Sequence, residues 1–370
     1  MRRRFARRIS SPNYLILILT AVLIIFGLLM LASASSNLGK EKFGDPYHYL
    51  KHQLIYGLGM GLIGFFAGYL IYYRIYEKIA VWLFFTTVIL LILVFTPLGV
   101  TAQGATRWID IGPIAFQPSE IAKIAFILYL ASWLAHRTER QNSFLRGFLP
   151  LLLIIGLVAG LLLLEPATST AFIFISASLV MYFASGAKFS HIIQVAFLGT
   201  LLIVGAIYFS DYKYKLNRLV NFIRPEANLE TTGYHLKQSQ IAIGSGGLFG
   251  AGYGASTTKL RYLPEPVGDS IFAVIAEEFG FVGSAVLIGT FGVLVIFIFL
   301  LARRHRDKFA ALALFGFGAL IAIQSFIHIG AISGLIPLTG MPLPFISYGG
   351  TSLIAYLTII GIIGNMSKYA

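Results

Sequence analysis

Long apolar runs separated by short polar segments dominate the pattern along the chain. A helix needs about 20 mostly apolar residues to cross a hydrocarbon core of about 30 Å, and ten runs approach that length. The pattern therefore predicts an all-α, polytopic membrane protein with ten transmembrane helices. The predicted spans are 14–33, 53–72, 79–96, 118–135, 148–164, 169–185, 190–209, 270–301, 309–335 and 345–366.

One polar interval, residues 210–268, is much longer than the others and separates the seventh and eighth spans. It contains an amphipathic stretch, Tyr234–Gly244, followed by a glycine-rich run, Gly244–Gly254. Loops longer than about 15 residues are usually functional, which predicts a structured loop rather than a linker. Because spans and loops use almost the whole chain, residues 1–370 are expected to form a single integral membrane domain.

The basic residues predict the orientation of the chain. With the N-terminus inside, 16 of the 28 Lys and Arg residues fall in cytoplasmic segments, as the positive-inside rule requires. Segment 1–13 and both termini are then cytoplasmic, and loop 210–268 is extracytoplasmic. The Arg-rich start also resembles a secretory signal, but an apolar run as long as Tyr14–Ala32 favours a retained first helix.

Composition narrows the class of protein further. Hydrophobic residues make up 57% of the chain, charged residues 12%, and the mean hydropathy is +0.82, which excludes an ordinary soluble domain. The formal charge of +13 does not indicate nucleic-acid binding, since no soluble basic face exists to carry it. The absence of cysteine excludes disulfides, thiolate metal sites and a cysteine nucleophile.

Ionisable side chains within the spans are the first candidates for function, because a charge inside a bilayer is costly. The candidates lie towards the predicted outer ends of the spans, with no matching set in the inner half, which favours a polar cavity that opens outward and is shared by Lys123 and Asp269. Adjacent helical positions face about 100° apart, so one of the paired glutamates should point to a neighbouring helix or a backbone donor. The candidates are Glu120, Lys123, Glu165, Asp269, Glu277, Glu278 and His328.

Several of these residues have a structural alternative. Glu120 and Lys123, three residues apart on one helix face, are also typical of an ion pair that ties helices together. His328 is also typical of a hydrogen-bonded core histidine. The run Gly244–Gly254 forms either a tight turn or a set of backbone N–H groups that line an anion site. The glycines of Ser347–Thr351 permit close helix packing.

Several ordered motifs along nearly the whole chain resemble the SEDS family of shape, elongation, division and sporulation proteins. The segments Gly44–Gln53 and Leu164–Pro166 resemble the division branch of that family more than the elongation branch. The motifs that carry the resemblance are Arg107-Trp108, Phe116–Lys123, Ile241–Leu248, Leu263–Glu265, Asp269, Ile271–Glu278 and Pro342–Gly350.

The resemblance implies a peptidoglycan glycosyltransferase that polymerises lipid II at the outer face of the bacterial cytoplasmic membrane, in cell division. It also implies a partner, a class B penicillin-binding transpeptidase, alongside other division or elongation proteins. The alternatives are a lipid II flippase, an elongation-type polymerase, or an inactive scaffold for a transpeptidase. The sequence requires no cofactor or metal, and it leaves open a divalent cation that assists the diphosphate.

The resemblance further implies roles for individual residues. The essential loop aspartate of the family falls on Asp269, which is expected to act as the catalytic base. The expected substrate-binding residues are Arg107, Glu120, Lys123, Glu165, Arg218 and Glu265. The chain departs from the usual family pattern at Ala167, Gly268 and His328.

Overall fold

The structure, a computed structural model, describes most of the chain from residue 13 onward. The described residues are 13–102, 105–111, 114–136, 144–187, 194, 197, 199–201, 205, 232–260 and 262–370.

Helices dominate the described residues. The main helices are α1 (Tyr14–Phe43), α2 (His48–Leu70), α3 (Tyr73–Leu93), α4 (Pro118–His136), α5 (Leu149–Leu164), α6 (Thr168–Ala184), α7 (Thr232–Ser245), α8 (Ile271–Arg304), α9 (Lys308–Ile332) and α10 (Gly350–Ser367). Helix α2 includes a π-helical segment, Gln53–Gly59, and another π-helical segment, Phe144–Phe148, precedes α5.

Seven helices in the described part of the chain, α1 to α4 and α8 to α10, are long and apolar enough to cross a membrane. Helices α5 and α6 are apolar but shorter. The predicted polytopic, mainly helical class is therefore confirmed. The seventh predicted span, 190–209, lies mostly outside the described residues, as does 210–231, so the number of ten spans stays a prediction.

The first helix is longer than its apolar run. Helix α1 continues through Ser33–Phe43 and ends at Gly44, whose left-handed backbone (φ 70°) lets its N–H donate to the carbonyl of Lys40. The segment after residue 33 is polar, so hydropathy alone places the helix end too early. The extension carries Ser33 and Asn37 into contact with residues 259 and 260.

A small antiparallel sheet, which the sequence analysis did not predict, joins α3 to α4. Strand β1 (Gly99–Ala102) pairs with β2 (Ala105–Ile111), and β2 pairs with β3 (Ile114–Phe116). These strands form one end of the molecule, together with the turn after α5 and the segment before α8. We call this end the site end.

Helices α9 and α10 form the centre of the bundle and are the most buried of the long helices described. Helix α9 packs on α4, α6 and α8, while α10 packs along α2. The contact with α2 is close: a Cβ at Gly361 would lie 2.2 Å from the Phe65 carbonyl oxygen. Small residues permit such backbone approach between membrane helices, and any larger residue at 361 would push the two helices apart.

Polar contacts hold the opposite end of the bundle together. The carboxylate of Asp307 caps α9 at Phe309 N, accepts a hydrogen bond from the Tyr73 hydroxyl and forms an ion pair of 2.8 Å with Arg74. The side chain of Asn365 accepts a hydrogen bond from Tyr73 N and donates to the carbonyl of Tyr69. These bonds fix the ends of α3, α9 and α10 relative to one another.

Candidate active site

Asp269 lies two residues before α8 and lines a cavity at the site end. The cavity has a volume of about 60 Å³, which is enough for a few water molecules but not for a sugar. Two histidines, His235 and His328, and Thr339 supply further polar groups to its lining. The apolar part of the lining comes from Ala331, Ile332, Leu338 and Met341.

Backbone hydrogen bonds fix the segment that carries Asp269. The carbonyl of Glu265 accepts from the N–H groups of Gly268 and Ser270, on either side of the aspartate. The Ser347 hydroxyl donates to the Gly268 carbonyl at 2.9 Å, and Tyr348 N donates to the Val267 carbonyl at 2.9 Å. The Pro342–Gly350 motif therefore positions the loop that carries Asp269. From its glycines alone, the sequence predicted only close helix packing.

The side chain of His235 connects α7 to the segment just before α8. The Ser270 hydroxyl donates to the Pro264 carbonyl at 2.7 Å, because a carbonyl can only accept. The short contact between Ser270 Oγ and His235 Nε2 is then donated by the histidine ring. Sequence reasoning missed His235, because it lies in the predicted long loop, far from Asp269 along the chain.

His328, on α9, is 1% exposed, and its Nδ1 lies 2.6 Å from the Met341 carbonyl oxygen. This is the buried, hydrogen-bonded histidine of the structural alternative. Its ring also lines the cavity beside Asp269. The structure thus brings together two of the ionisable residues that the sequence placed towards the outer ends of the spans.

Lys123 does not line this cavity. Its ammonium group is fully buried and donates to Glu120 at 2.6 Å and to Gln324 at 2.8 Å. The amide of Gln324 also donates to the Pro342 carbonyl, one residue after the cavity-lining Met341. The cavity that the sequence analysis expected to be shared is therefore divided: Asp269 lines open space, and Lys123 lies in a packed network beside it.

This network favours the structural alternative for Glu120 and Lys123. The Tyr356 hydroxyl donates to Gln324, and the Lys123 ammonium lies 5.6 Å from the Tyr356 ring centre. The network joins α4, α9 and α10, which are central in the bundle. Binding of a substrate diphosphate by Lys123 stays a prediction, and it would require the ammonium group to exchange a partner.

Arg107 and Glu165 lie together at the site end. Arg107, on β2, donates from its guanidinium to the backbone carbonyls of Glu165 and Pro166 in the turn between α5 and α6. Burial raises the pKa of the Glu165 carboxyl to about 8, against the lowering effect of Arg107. The small sheet thus places the Arg107 guanidinium beside the buried Glu165 carboxyl.

The two remaining predicted site residues differ in what the structure says of them. Glu265 is exposed and has a left-handed backbone (φ 47°) in the turn before Asp269. Its carbonyl, described above, orders that turn. Arg218 lies outside the described residues. Substrate binding by either residue stays a prediction.

The paired glutamates of α8 bind the loop that follows α7. The carboxylate of Glu277 accepts hydrogen bonds from the Ser256 hydroxyl and from the backbone and hydroxyl groups of Thr257 and Thr258. This confirms the expectation that one of the pair meets backbone donors.

Glu278 takes part in a second buried ion pair. Its carboxylate lies 2.6 Å from the Lys259 ammonium and accepts a 2.6 Å hydrogen bond from Ser33 on α1. Nothing in the neighbourhood of Lys259 along the chain identifies Glu278 as its partner, so the sequence did not predict this ion pair.

The glycine-rich run packs against a kink in α8. Gly280 has φ 65° and ψ −163°, so the helix breaks there. The freed carbonyls of Glu277 and Glu278 accept from Ala251 N and Gly252 N, and Phe281 N and Val282 N donate to the carbonyls of Gly247 and Leu248. Because these loop N–H groups donate to protein carbonyls, they are not available to bind an anion. This part of the glycine-rich run is therefore a tight turn.

Within the part of the chain that the structure describes, no group of three or more His, Asp or Glu side chains is arranged to hold a metal ion. A divalent cation that assists the diphosphate stays a possibility raised by the sequence alone. The site that the described residues do define is an aspartate beside a small polar cavity, at one end of a helical membrane bundle.

Comparison with known proteins identifies the class as that of bacterial cell-wall membrane proteins. The family model described as "Cell cycle protein", of FtsW, RodA and SpoVE, matches residues 13–370. The chain therefore belongs to the FtsW/RodA/SpoVE family, which confirms the resemblance read from the motifs, and it is a multi-pass bacterial membrane protein.

Individual relatives match over nearly their full length. A probable peptidoglycan glycosyltransferase FtsW from Geobacter sp. (strain M18) is 37% identical over 98% of each chain. One from Coxiella burnetii is 39% identical over 94% of each chain. Stage V sporulation protein E from Bacillus subtilis is 35% identical over 98% of each chain.

Solved structures show the same fold. A chain in a structure described as "Structural coordination of polymerization and crosslinking by a peptidoglycan synthase complex" has a TM-score of 0.80 and 29% identity, covering 96% of this chain and 98% of its own. The rod shape determining protein RodA of Thermus thermophilus has a TM-score of 0.72 and 28% identity, covering 96% of this chain and 97% of its own.

Proposed function

We propose that this chain is a peptidoglycan glycosyltransferase that polymerises lipid II at the outer face of the cytoplasmic membrane, in cell division. The observation that carries the proposal is the position of Asp269: a half-buried carboxylate beside a cavity, held by backbone bonds on both sides. Family membership supports this activity, and the FtsW relatives support the division role over the elongation-type alternative.

The reaction needs one general base and one good leaving group. A hydroxyl oxygen of the lipid II sugar attacks the anomeric carbon of the growing glycan and forms a new C–O bond. The anomeric C–O bond to the diphosphate breaks, and its electron pair leaves with undecaprenyl diphosphate. Asp269 takes the proton of the attacking hydroxyl, a contribution that is typically about 10²–10⁴-fold. The leaving group is already activated, so no nucleotide cofactor is required.

In this proposal, positively charged side chains at the site end bind the negatively charged diphosphate. Arg107 is half-buried on β2 and lies at the turn that carries Glu165. Charge-assisted bonds from a guanidinium to phosphate oxygens are short and strong. Arg218 is proposed as a second cation. Lys123 and Glu120 lie in the packed network beside the cavity, and Glu165 and Glu265 lie in turns at the site end. Direct contacts of these four residues with the substrate are part of the proposal.

A class B penicillin-binding transpeptidase is the proposed partner, because the glycan strands that this chain would polymerise must be crosslinked by a separate enzyme. The similar chain from a synthase complex that coordinates polymerisation and crosslinking supports this partner. Lipid II itself and membrane lipids are the other proposed contacts.

The test is reconstitution of the purified chain in liposomes with labelled lipid II, with and without the partner. The expected product is a set of glycan strands that a gel resolves by length. These strands should form only when the purified protein, or its complex with the transpeptidase, is present. Translocation of lipid II without glycan formation would contradict the proposal and support the flippase alternative. If the protein makes no glycan even together with its transpeptidase partner, the scaffold alternative is supported.

A further inference from the structure

The tautomer of His328 follows from its surroundings. Nδ1 lies 2.6 Å from the Met341 carbonyl oxygen, and a carbonyl oxygen can only accept a hydrogen bond. Nδ1 must therefore carry the hydrogen. In the neutral ring, Nε2 then has a free lone pair and acts as a hydrogen-bond acceptor.

That acceptor has no hydrogen-bond partner among the described residues, although the residue is only 1% exposed. Most buried polar atoms are bonded, and an unsatisfied one calls for a ligand or water that completes it. The ring lines the cavity next to Asp269, so a group that completes Nε2 has space to enter from that side.

One backbone segment joins the two side chains. Met341 holds His328, and Gly340, the preceding residue, lies against the aspartate: a Cβ at Gly340 would be 3.2 Å from Asp269 Oδ2. The cavity between them is about 60 Å³. In so small a space, a donor that reaches Nε2 lies close to the carboxylate.

We propose that His328 Nε2 accepts a hydrogen bond from a hydroxyl or amide N–H group of the acceptor sugar, next to the hydroxyl that Asp269 deprotonates. His328 is then a substrate-binding residue that orients the acceptor and leaves proton transfer to Asp269. This inference rests on the proposed function. Ala331 and Ile332, on the same helix, give the apolar wall against which the bound group packs.

Two substitutions separate the two ring nitrogens. In His328→Asn, the side-chain amide N–H replaces Nδ1–H at the Met341 carbonyl, and the Nε2 acceptor is lost. In His328→Gln, the longer amide places an oxygen near the Nε2 position. Ser325→Ala is the matched control: Ser325 is also buried on α9 with an unpartnered hydroxyl, but it does not line the cavity.

The experiment measures kcat and the apparent KM for lipid II polymerisation, with the transpeptidase partner if it is needed, and thermal unfolding of each variant. His328→Asn should raise KM about 5- to 10-fold, the range of one lost hydrogen bond, with little change in kcat or melting temperature. His328→Gln should recover most of that loss, and Ser325→Ala should match the wild type.

Two outcomes would overturn the inference and leave the proposed function standing. In the first, wild type and His328→Asn polymerise with the same KM. In the second, both His328 variants lose activity only in proportion to a lower melting temperature, which is a purely structural effect. A wild-type chain that makes no glycan under any condition would overturn both proposals.

Discussion

Lys123 is a buried cation whose described hydrogen bonds all go to protein groups, Glu120 and Gln324. Removing one partner of a buried ion pair leaves an uncompensated charge and costs about 3–5 kcal/mol. We expect Lys123→Met to lower the stability by that order. The double variant Glu120→Gln/Lys123→Met should recover much of it, because both charges are removed. Thermal unfolding in detergent measures both effects.

Activity decides which role the pair has. If the double variant regains stability and also polymerises lipid II, the pair is structural, as its geometry favours. A double variant that is stable but has lost affinity for lipid II would instead support direct diphosphate binding by Lys123.

Glu165 gives a second prediction for a single residue, in the pH dependence of stability. Its pKa rises from an ordinary value of 4.5 to about 8 in the folded chain, because burial disfavours the charged form. Between these values the folded state holds a proton that the unfolded state has released, so stability falls as pH rises from about 4.5 to 8. Below that range the penalty is absent, and above it the loss is complete.

The measurement is the melting temperature of wild type and Glu165→Gln between pH 5 and 9. The wild type should lose stability relative to the variant as pH rises, on the order of 1–3 kcal/mol. Parallel curves for the two proteins would show that Glu165 ionises normally.

The kink of helix α8 depends on the backbone conformation of one residue, Gly280. Gly280 has a positive φ, and a Cβ there would meet Gly250 N at 2.4 Å. Gly280→Ala is expected to destabilise the chain by about 2–3 kcal/mol, because that conformation strains an L-residue and the loop must move. Thermal unfolding and hydrogen exchange of residues 246–260 measure the effect.

Gly289→Ala is the matched control on the same helix, since a Cβ at Gly289 meets nothing within 4 Å. It should leave stability unchanged or slightly improve it. Equal effects of the two substitutions would contradict the account of the kink and its bonds to the glycine-rich run.

Hydropathy predicts the helices well because lipid selects for long apolar runs along the sequence. It fails at β1 to β3, since a short sheet outside the apolar runs leaves no such signal. It also places the end of α1 near residue 33, because Ser33–Phe43 form a helix that is not selected for lipid contact.

The candidate site shows the same division between local and distant signals. Depth within the spans predicted only that the candidates, Asp269 and His328 among them, lie towards the outer ends, since rise along a helix is regular. The structure shows that these two residues line one cavity. Depth could not separate Lys123 from their cavity, nor pair Lys259 with Glu278, because those contacts depend on which helix faces which. His235 was missed for the same reason.

At the scale of the whole molecule, the proposed function requires the site end to face outward. The chain has no cysteine, so single cysteines can report sidedness without background. Lys42→Cys, exposed at the site end, should react with a membrane-impermeant maleimide in intact spheroplasts. Arg304→Cys, exposed at the opposite end, should react only after the membrane is opened. The reverse pattern would place Asp269 in the cytoplasm.

The most direct test of the central claim is lipid II polymerisation by Asp269→Asn, purified with any partner that the wild type needs. Asp110→Asn, an exposed carboxylate on β2 at the same end, is the matched control. We predict that Asp269→Asn melts at the wild-type temperature but loses at least about 10²-fold in kcat, as expected for a missing general base, while Asp110→Asn stays active. A folded Asp269→Asn protein that makes glycan chains at the wild-type rate would contradict the account.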